Sequence, residues 1–244
     1  MIRFSGQGIL LDIEGTTSSV TYVYDVLFPY ARRELSAFLK AHWDEPKVAR
    51  ARDLIAVEAG ASSFADWVPV GSSVEESRAQ LVAEVNRLMD ADVKATGLKE
   101  LQGLIWRQGY DAGLLLSHVF PDVRPALAAW HASGLDIRIF SSGSVAAQQT
   151  FFSRTQAGDL TGYFRGHYDT TIGPKRQPES YTTIAGEMKL RPEQILFLSD
   201  VTAELDAART ARLATALVER PGNAPSPADH GHPVVTSFDQ LVLR

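Results

Sequence analysis

The 244-residue chain has no cysteine. That excludes disulfides, thiolate metal centres and cysteine nucleophiles, and it fits a reducing compartment. Positive charge is not in excess: 24 Lys and Arg stand against 29 Asp and Glu, a net charge of −5. The basic footprint of a nucleic-acid binder is therefore missing. No apolar run approaches the ~20 residues of a membrane span. The apolar stretch near the start is short and contains Asp12, unlike a secretory signal. Internal repeats and low-complexity segments are absent too. These absences point to a soluble cytoplasmic protein with neither nucleic acid nor membrane as partner. A mildly acidic protein that binds a phosphate ester needs a cation and local donors to offset repulsion.

What is present is 45% apolar content, enough to bury a core. The most informative stretch is Gly8-Ile9-Leu10-Leu11-Asp12-Ile13-Glu14-Gly15-Thr16-Thr17. Gly8 to Ile13 reads as a short buried strand bounded by glycines. Asp12 then stands at the carboxyl edge of a parallel sheet, where chemistry collects. Glu14, two residues on in an extended chain, is expected on the same side of the backbone. Gly15 lets the chain turn. Two carboxylates so placed suit a hard cation, or nucleophilic work followed by proton transfer.

From Tyr24 to about Leu116 the pattern is helical without a convincing strand. Expected helices cover Tyr24–Trp43, Lys47–Ala59, a stretch opened by the capping-box pair Ser73 and Glu76, and Gly97–Tyr110, with a loop over Ala61–Ser73. Strands and helices then alternate. Strands are expected at Asp136–Phe140, weakly at Tyr163–Asp169, at Ile195–Leu198 and at Ala214–Val218. Helices are expected at Asp122–Ser133, Ser144–Arg154, Glu179–Met188 and Thr202–Ala211, with a short last one at Phe238–Leu241. Such alternation implies a parallel sheet with right-handed crossovers. The expected fold class is α/β: a doubly wound, Rossmann-like core from residues 1–20 and 117–244, with a helical cap from 21–116 over its carboxyl-end face.

Two more strand ends and one loop carry candidate chemistry. Ser141-Ser142-Gly143-Ser144 follows Ile137-Arg138-Ile139-Phe140. Small hydroxyl residues and a glycine there suit a phosphate nest, or a plain helix cap. Phe197-Leu198-Ser199-Asp200-Val201-Thr202-Ala203-Glu204 brings an acid to another strand end and a second acid four residues on, which suits magnesium or again a cap. Lys175, in Ile172-Gly173-Pro174-Lys175, could neutralise a nucleophile and a phosphoryl group together.

This order of nucleophile strand, serine turn, lysine and acidic strand end resembles the haloacid dehalogenase superfamily. Asp12-Ile13-Glu14-Gly15-Thr16-Thr17, Leu27-Phe28-Pro29-Tyr30, Leu101-Gln102-Gly103, Leu198-Ser199-Asp200-Val201-Thr202 and Arg220-Pro221-Gly222-Asn223-Ala224 extend the likeness along nearly the whole chain. They resemble the enolase-phosphatases of methionine salvage, also called acireductone synthases. Most phosphatases of the superfamily have aspartate where this chain has Glu14, and the enolase-phosphatases share that departure.

The resemblance implies a phosphoric monoester hydrolase with one Mg2+ per chain. Asp12 would be the nucleophile, and Glu14 the acid and base. Asp12, Glu14 (through its backbone carbonyl) and Asp200 would hold the metal, with Glu204 behind them. Ser141, Ser142 and Lys175 would bind the phosphorylated substrate. That substrate would be 2,3-diketo-5-methylthiopentyl 1-phosphate, enolised and then dephosphorylated to 1,2-dihydroxy-3-keto-5-methylthiopentene by a monomeric enzyme. The alternative is a phosphatase of the superfamily acting on another small phosphate ester. Trp67, Trp106 and Tyr110 fit the core of the helical insertion better than a ligand contact, and His118 fits a linker.

Overall fold

The computed structural model of the chain describes residues 1–93 and 95–243. Two compact units emerge, Met1–Val23 with Leu116–Arg244, and Tyr24–Leu115. Chain order begins with β1 (Ile2–Phe4), β2 (Gly8–Leu11) and α1 (Val20–Tyr22). A π-helical turn, Val23–Leu27, leads to α2 (Phe28–His42), α3 (Pro46–Glu58), α4 (Phe64–Trp67), α5 (Val74–Asp90) and α6 (Thr96–Asp111). Then come α7 (Val123–Ala132), β3 (Asp136–Phe140), α8 (Val145–Ser153), β4 (Gly166–Tyr168) and α9 (Pro178–Met188). The chain closes with β5 (Ile195–Ser199), α10 (Thr202–Thr210), β6 (Ala214–Val218), β7 (Val234–Val235) and β8 (Leu241–Leu243).

Among the described residues, the first unit holds a parallel sheet in the order β4-β3-β2-β5-β6-β7. Every residue of β2 and β5 is buried. That is the signature of strands covered on both faces, and it explains why they read as continuous apolar runs rather than alternating ones. Leu10, Phe140 and Phe197 share a core with Tyr181, Ile184 and Met188 of α9 and with Leu205 and Ala208 of α10. The alternate residues Ile9, Leu11, Ile137 and Ile139 are fully buried on the other face. Burying side chains of this size contributes about 1.5–3 kcal/mol each.

The helical unit is built separately. Ser73 and Glu76 close a capping box on α5. Gly97 lets α6 lie against α3: a Cβ there would stand 2.7 Å from the backbone nitrogen of Ile55. Tyr110 is buried, and the Trp106 indole donates to the Leu27 carbonyl at 2.8 Å, so both serve packing inside this unit.

Four expectations need correction. The stretch Ala61–Ser73 contains α4, started by the Ser63 hydroxyl accepting from Asp66 N–H and held by Phe64 against Trp43 and Trp67. The first cap helix is preceded by a separate turn of α-helix and the π-turn, with Pro29 in the first turn of α2. Only Gly166–Tyr168 of the stretch Tyr163–Asp169 is a strand. Phe238–Gln240 is a single 3₁₀ turn running into β8, which pairs in parallel with β1 as a small second sheet. Strands of three residues have too little periodicity to be read locally, and pairing alone creates them.

A buried ion pair ties the first unit together. Arg220 and Asp122 meet through two hydrogen bonds of 3.0 and 2.8 Å. Arg220 also donates to the carbonyls of Thr16 and Thr236, and Asp122 accepts from Phe238 N–H. Burial pushes the Asp122 carboxyl up, but these donors outweigh it and hold it below the usual carboxylate range. A depressed acid contributes stability that is present above its unfolded value and lost as pH falls through the folded one. Asp122→Ala should cost about 3–5 kcal/mol at pH 7 in urea denaturation, because it leaves a buried guanidinium unpaired. The deficit should shrink as pH drops below 3.8, the ordinary aspartate value. A deficit unchanged in acid would show that the charge is not what matters.

Candidate active site

The sheet reverses its winding between β2 and β5, and the candidate residues gather at the carboxyl ends of these two strands. Register aligns Leu11 with Leu198, and Asp12 N–H donates to the Leu198 carbonyl at 3.0 Å. Asp12 is therefore level with Ser199. Its Oδ1 takes the Ile13 N–H at 2.8 Å and the Lys175 ammonium at 2.8 Å, whereas Oδ2, among the described residues, has a long 3.4 Å contact with Ser199 Oγ. The carboxylate is fixed in orientation but keeps lone pairs on Oδ2.

Lys175 is buried and bridges two acids, with Glu204 Oε2 at 2.7 Å on the far side. Burial alone would lower its pKa, but the charges of Asp12 and Glu204 raise it, so it stays an ammonium. Its loop is clamped from the core. The Tyr181 hydroxyl donates to the Lys175 carbonyl at 2.6 Å, and Ser180 Oγ donates to the Pro174 carbonyl at 2.8 Å. Tyr181 in turn sits against Phe140 and Phe197 at ring distances of 5.5 and 5.1 Å. Ser199 Oγ lies 3.1 Å from Glu204 and accepts from Val201 N–H, which places α10.

Asp200 reaches the turn after Asp12. Gly15 has φ +69, and a Cβ on it would lie 2.2 Å from Asp200 Oδ2, so both conformation and space demand glycine. Burial, then the charge of Asp12, pushes the Asp200 carboxyl up to about 7. Burial and Asp12 also push Glu204 up. Three carboxylates thus lie around one ammonium in a dry setting, an arrangement short of positive charge. A divalent cation fits that deficit. Among the described residues no three acidic or imidazole side chains converge into a complete cage. Asp12 and Asp200 supply the one or two carboxylates that Mg2+ takes, the rest of its shell being water, carbonyl and phosphate oxygens.

Not every expected residue joins the cluster. Glu14 is exposed while Asp12 is buried. The extended chain ends at Leu11, and the N–H groups of Thr16, Thr17 and Ser18 fold back on the Ile13 carbonyl. Ser141 is buried and its N–H is spent on the Tyr168 carbonyl; Ser142 is exposed. The expected nest is partly filled by the chain itself. Asp169 accepts from Val145 N–H, Ser144 caps α8 through Ala147 N–H, and Gln148 grips the carbonyls of Gly143 and Tyr168. His118 Nδ1 accepts from Ser19 N–H at 3.0 Å, a linker role. Sequence reading passed over Ser199, Tyr181, Gln148 and Asp169 as parts of the site. Only Asp169 carries a local sign, the Asx turn onto Thr171 N–H.

A raised carboxyl binds more protons folded than unfolded, so it lowers stability as pH rises from the unfolded value through the folded one. For Asp200 that window runs from 3.8 to about 7. Without divalent cation, the melting temperature should fall across this range. Asp200→Asn should flatten the fall, and added Mg2+ should restore stability at pH 8. Parallel melting curves for both proteins at every pH would refute the charge deficit.

A family model described as haloacid dehalogenase-like hydrolase matches residues 7–212. The chain is 45% identical over 241 residues to Enolase-phosphatase E1 of Sorangium cellulosum (strain So ce56), covering 99% of each. It is 46% identical over 238 residues to Enolase-phosphatase E1 of Pseudomonas aeruginosa (strain UCBPP-PA14), covering 98% of this chain and 99% of that one. The crystal structure of the UTR4 protein from Saccharomyces cerevisiae superposes with a TM-score of 0.77 at 30% identity, covering 97% of this chain and 100% of that one. With its acids, lysine and serine turn set on the matched sheet, the chain belongs to the enolase-phosphatases of the haloacid dehalogenase-like hydrolases.

Proposed function

We propose that this enzyme converts 2,3-diketo-5-methylthiopentyl 1-phosphate to 1,2-dihydroxy-3-keto-5-methylthiopentene, in methionine salvage, by enolisation followed by phosphate hydrolysis. The observation that carries the reading is Asp12, buried at the switch point with one oxygen fixed by Lys175 at 2.8 Å and the other lightly held. The unit of residues 1–23 and 116–244 is the catalytic domain, and the helical unit is the inserted domain.

Asp12 attacks phosphorus, forming an O–P bond as the bond to the ester oxygen breaks. A carboxylate is a weak nucleophile, so orientation and charge neutralisation supply most of the rate. Lys175 holds Asp12 in place and offsets the negative charge that gathers at the phosphoryl oxygens. Glu14 gives a proton to the leaving oxygen. It then takes one from the water that cleaves the aspartyl-phosphate and releases inorganic phosphate. Its exposed carboxyl is suited to exchange protons with solvent. Ser141 and Ser142 hold substrate oxygens. Mg2+, held by Asp12, Asp200 and the Glu14 carbonyl, would neutralise phosphoryl charge and polarise the dicarbonyl when bound. We assign the enzyme to the cytoplasm as a soluble monomer; among the described residues no helix is long and apolar enough to cross a membrane.

Asp12→Asn should lower phosphate release by roughly 1000-fold or more with an unchanged circular dichroism spectrum, since volume is kept and the nucleophile is lost. Retained turnover removes Asp12 from that role. In the wild-type enzyme an ultraviolet-absorbing phosphorylated enol should precede phosphate, followed by stopped-flow absorbance beside quenched phosphate assays. Phosphate released without any enol, together with an unenolised product, would leave a plain phosphatase.

A further inference from the structure

Asn223 stands in the loop after β6 and reaches back to the turn that follows Asp12. Its Nδ2 donates to the Gly15 carbonyl at 2.9 Å and to the Val218 carbonyl at 3.1 Å. Two carbonyl acceptors fix which way the amide points, because the flipped amide would set Oδ1 against both of them. Oδ1 therefore faces the other way. It is buried and has no hydrogen-bond partner among the described residues. An orphaned buried acceptor costs about 1–3 kcal/mol, so its retention needs a reason.

Position supplies one. The point where a Cβ on Gly15 would stand is 3.0 Å from Asn223 Oδ1 and 2.2 Å from Asp200 Oδ2. An uncharged acceptor and a carboxylate thus flank the same glycine. A donor arriving with a ligand would satisfy both, and hydrated Mg2+ brings such donors because it keeps several of its waters.

We propose that Asn223 is a positioning residue of the cation site. Its Oδ1 accepts a hydrogen bond from the hydration shell of Mg2+ held at Asp12 and Asp200, while its amide NH2 group ties down Gly15. Residues that touch a metal only through other groups carry real affinity, typically 10–100-fold. The inference rests on the cation reading above and adds a residue to it.

The test is calorimetric titration of MgCl2, without substrate, into the wild-type protein, Asp200→Asn, Asn223→Ala and Asn223→Asp, each checked for fold by circular dichroism. Asn223→Ala should bind Mg2+ at least ~10-fold more weakly and lose a matching part of the Mg2+-dependent rise in melting temperature. Asn223→Asp has no NH2 group but keeps an acceptor and adds negative charge, so its affinity should stay within about 3-fold of wild type or become tighter. If Asn223 only ties down Gly15, the Asp variant weakens as the Ala variant does, and the inference is overturned. Should Asn223→Ala fail to fold, the Asp variant decides by the same criterion. Equal binding by wild type and Asp200→Asn would bring down the cation reading itself. Loss of binding in Asp200→Asn with unchanged binding in Asn223→Ala would overturn the role of Asn223 alone.

Discussion

The site depends on one buried ammonium. Lys175 lies between Asp12 at 2.8 Å and Glu204 at 2.7 Å, out of contact with bulk water. Two carboxylates so close would repel in a medium of low dielectric, and one would protonate. The ammonium offsets that repulsion, and its own burial is tolerable only because both acids are there. Asp12, Lys175 and Glu204 come from the end of β2, the loop before α9, and α10, so this contact also locks three segments far apart in sequence.

Around that contact, further rigidity comes from side chains that hold backbone carbonyls. Arg220 takes the Thr16 carbonyl, Asn223 the Gly15 carbonyl, Tyr181 the Lys175 carbonyl and Gln148 the Gly143 carbonyl. Each brings a side chain from one segment to the main chain of a loop at the candidate site. Loops that lack the ladder bonds of a strand need such partners to keep a functional group within a fraction of an ångström of its place.

The charge balance links this architecture to its chemistry. With Asp200 beside Gly15, the acids outnumber the one ammonium, and burial makes that deficit costly. A phosphoryl group would add further negative charge. Burial, then the charge of Asp12, lifts the carboxyls of Asp200 and Glu204, and a divalent cation would offset both sources of repulsion.

The amino-acid sequence by itself determined the doubly wound core, the helical insertion, the positions of Asp12 and Asp200 at strand ends and that of Lys175 in a loop. Continuous apolar runs ending in an acid or a serine turn are local signals, and β2, β3, β5 and β6 are long enough to carry them. Capping residues and glycines marked the helix ends for the same reason. Tertiary structure alone decided the rest. The pairing of β1 with β8 joins the two ends of the chain, and no local period announces it. The chain turns right after Asp12 because three N–H groups converge on the Ile13 carbonyl, a turn that a two-residue rule cannot foresee, and Glu14 is exposed there. Ser199, Tyr181 and Asn223 entered the site through contacts across many residues, where position in space, not residue type, confers the role. Local propensity acts over a few residues, whereas a site assembled from four strand ends is set by the register and packing of the whole sheet.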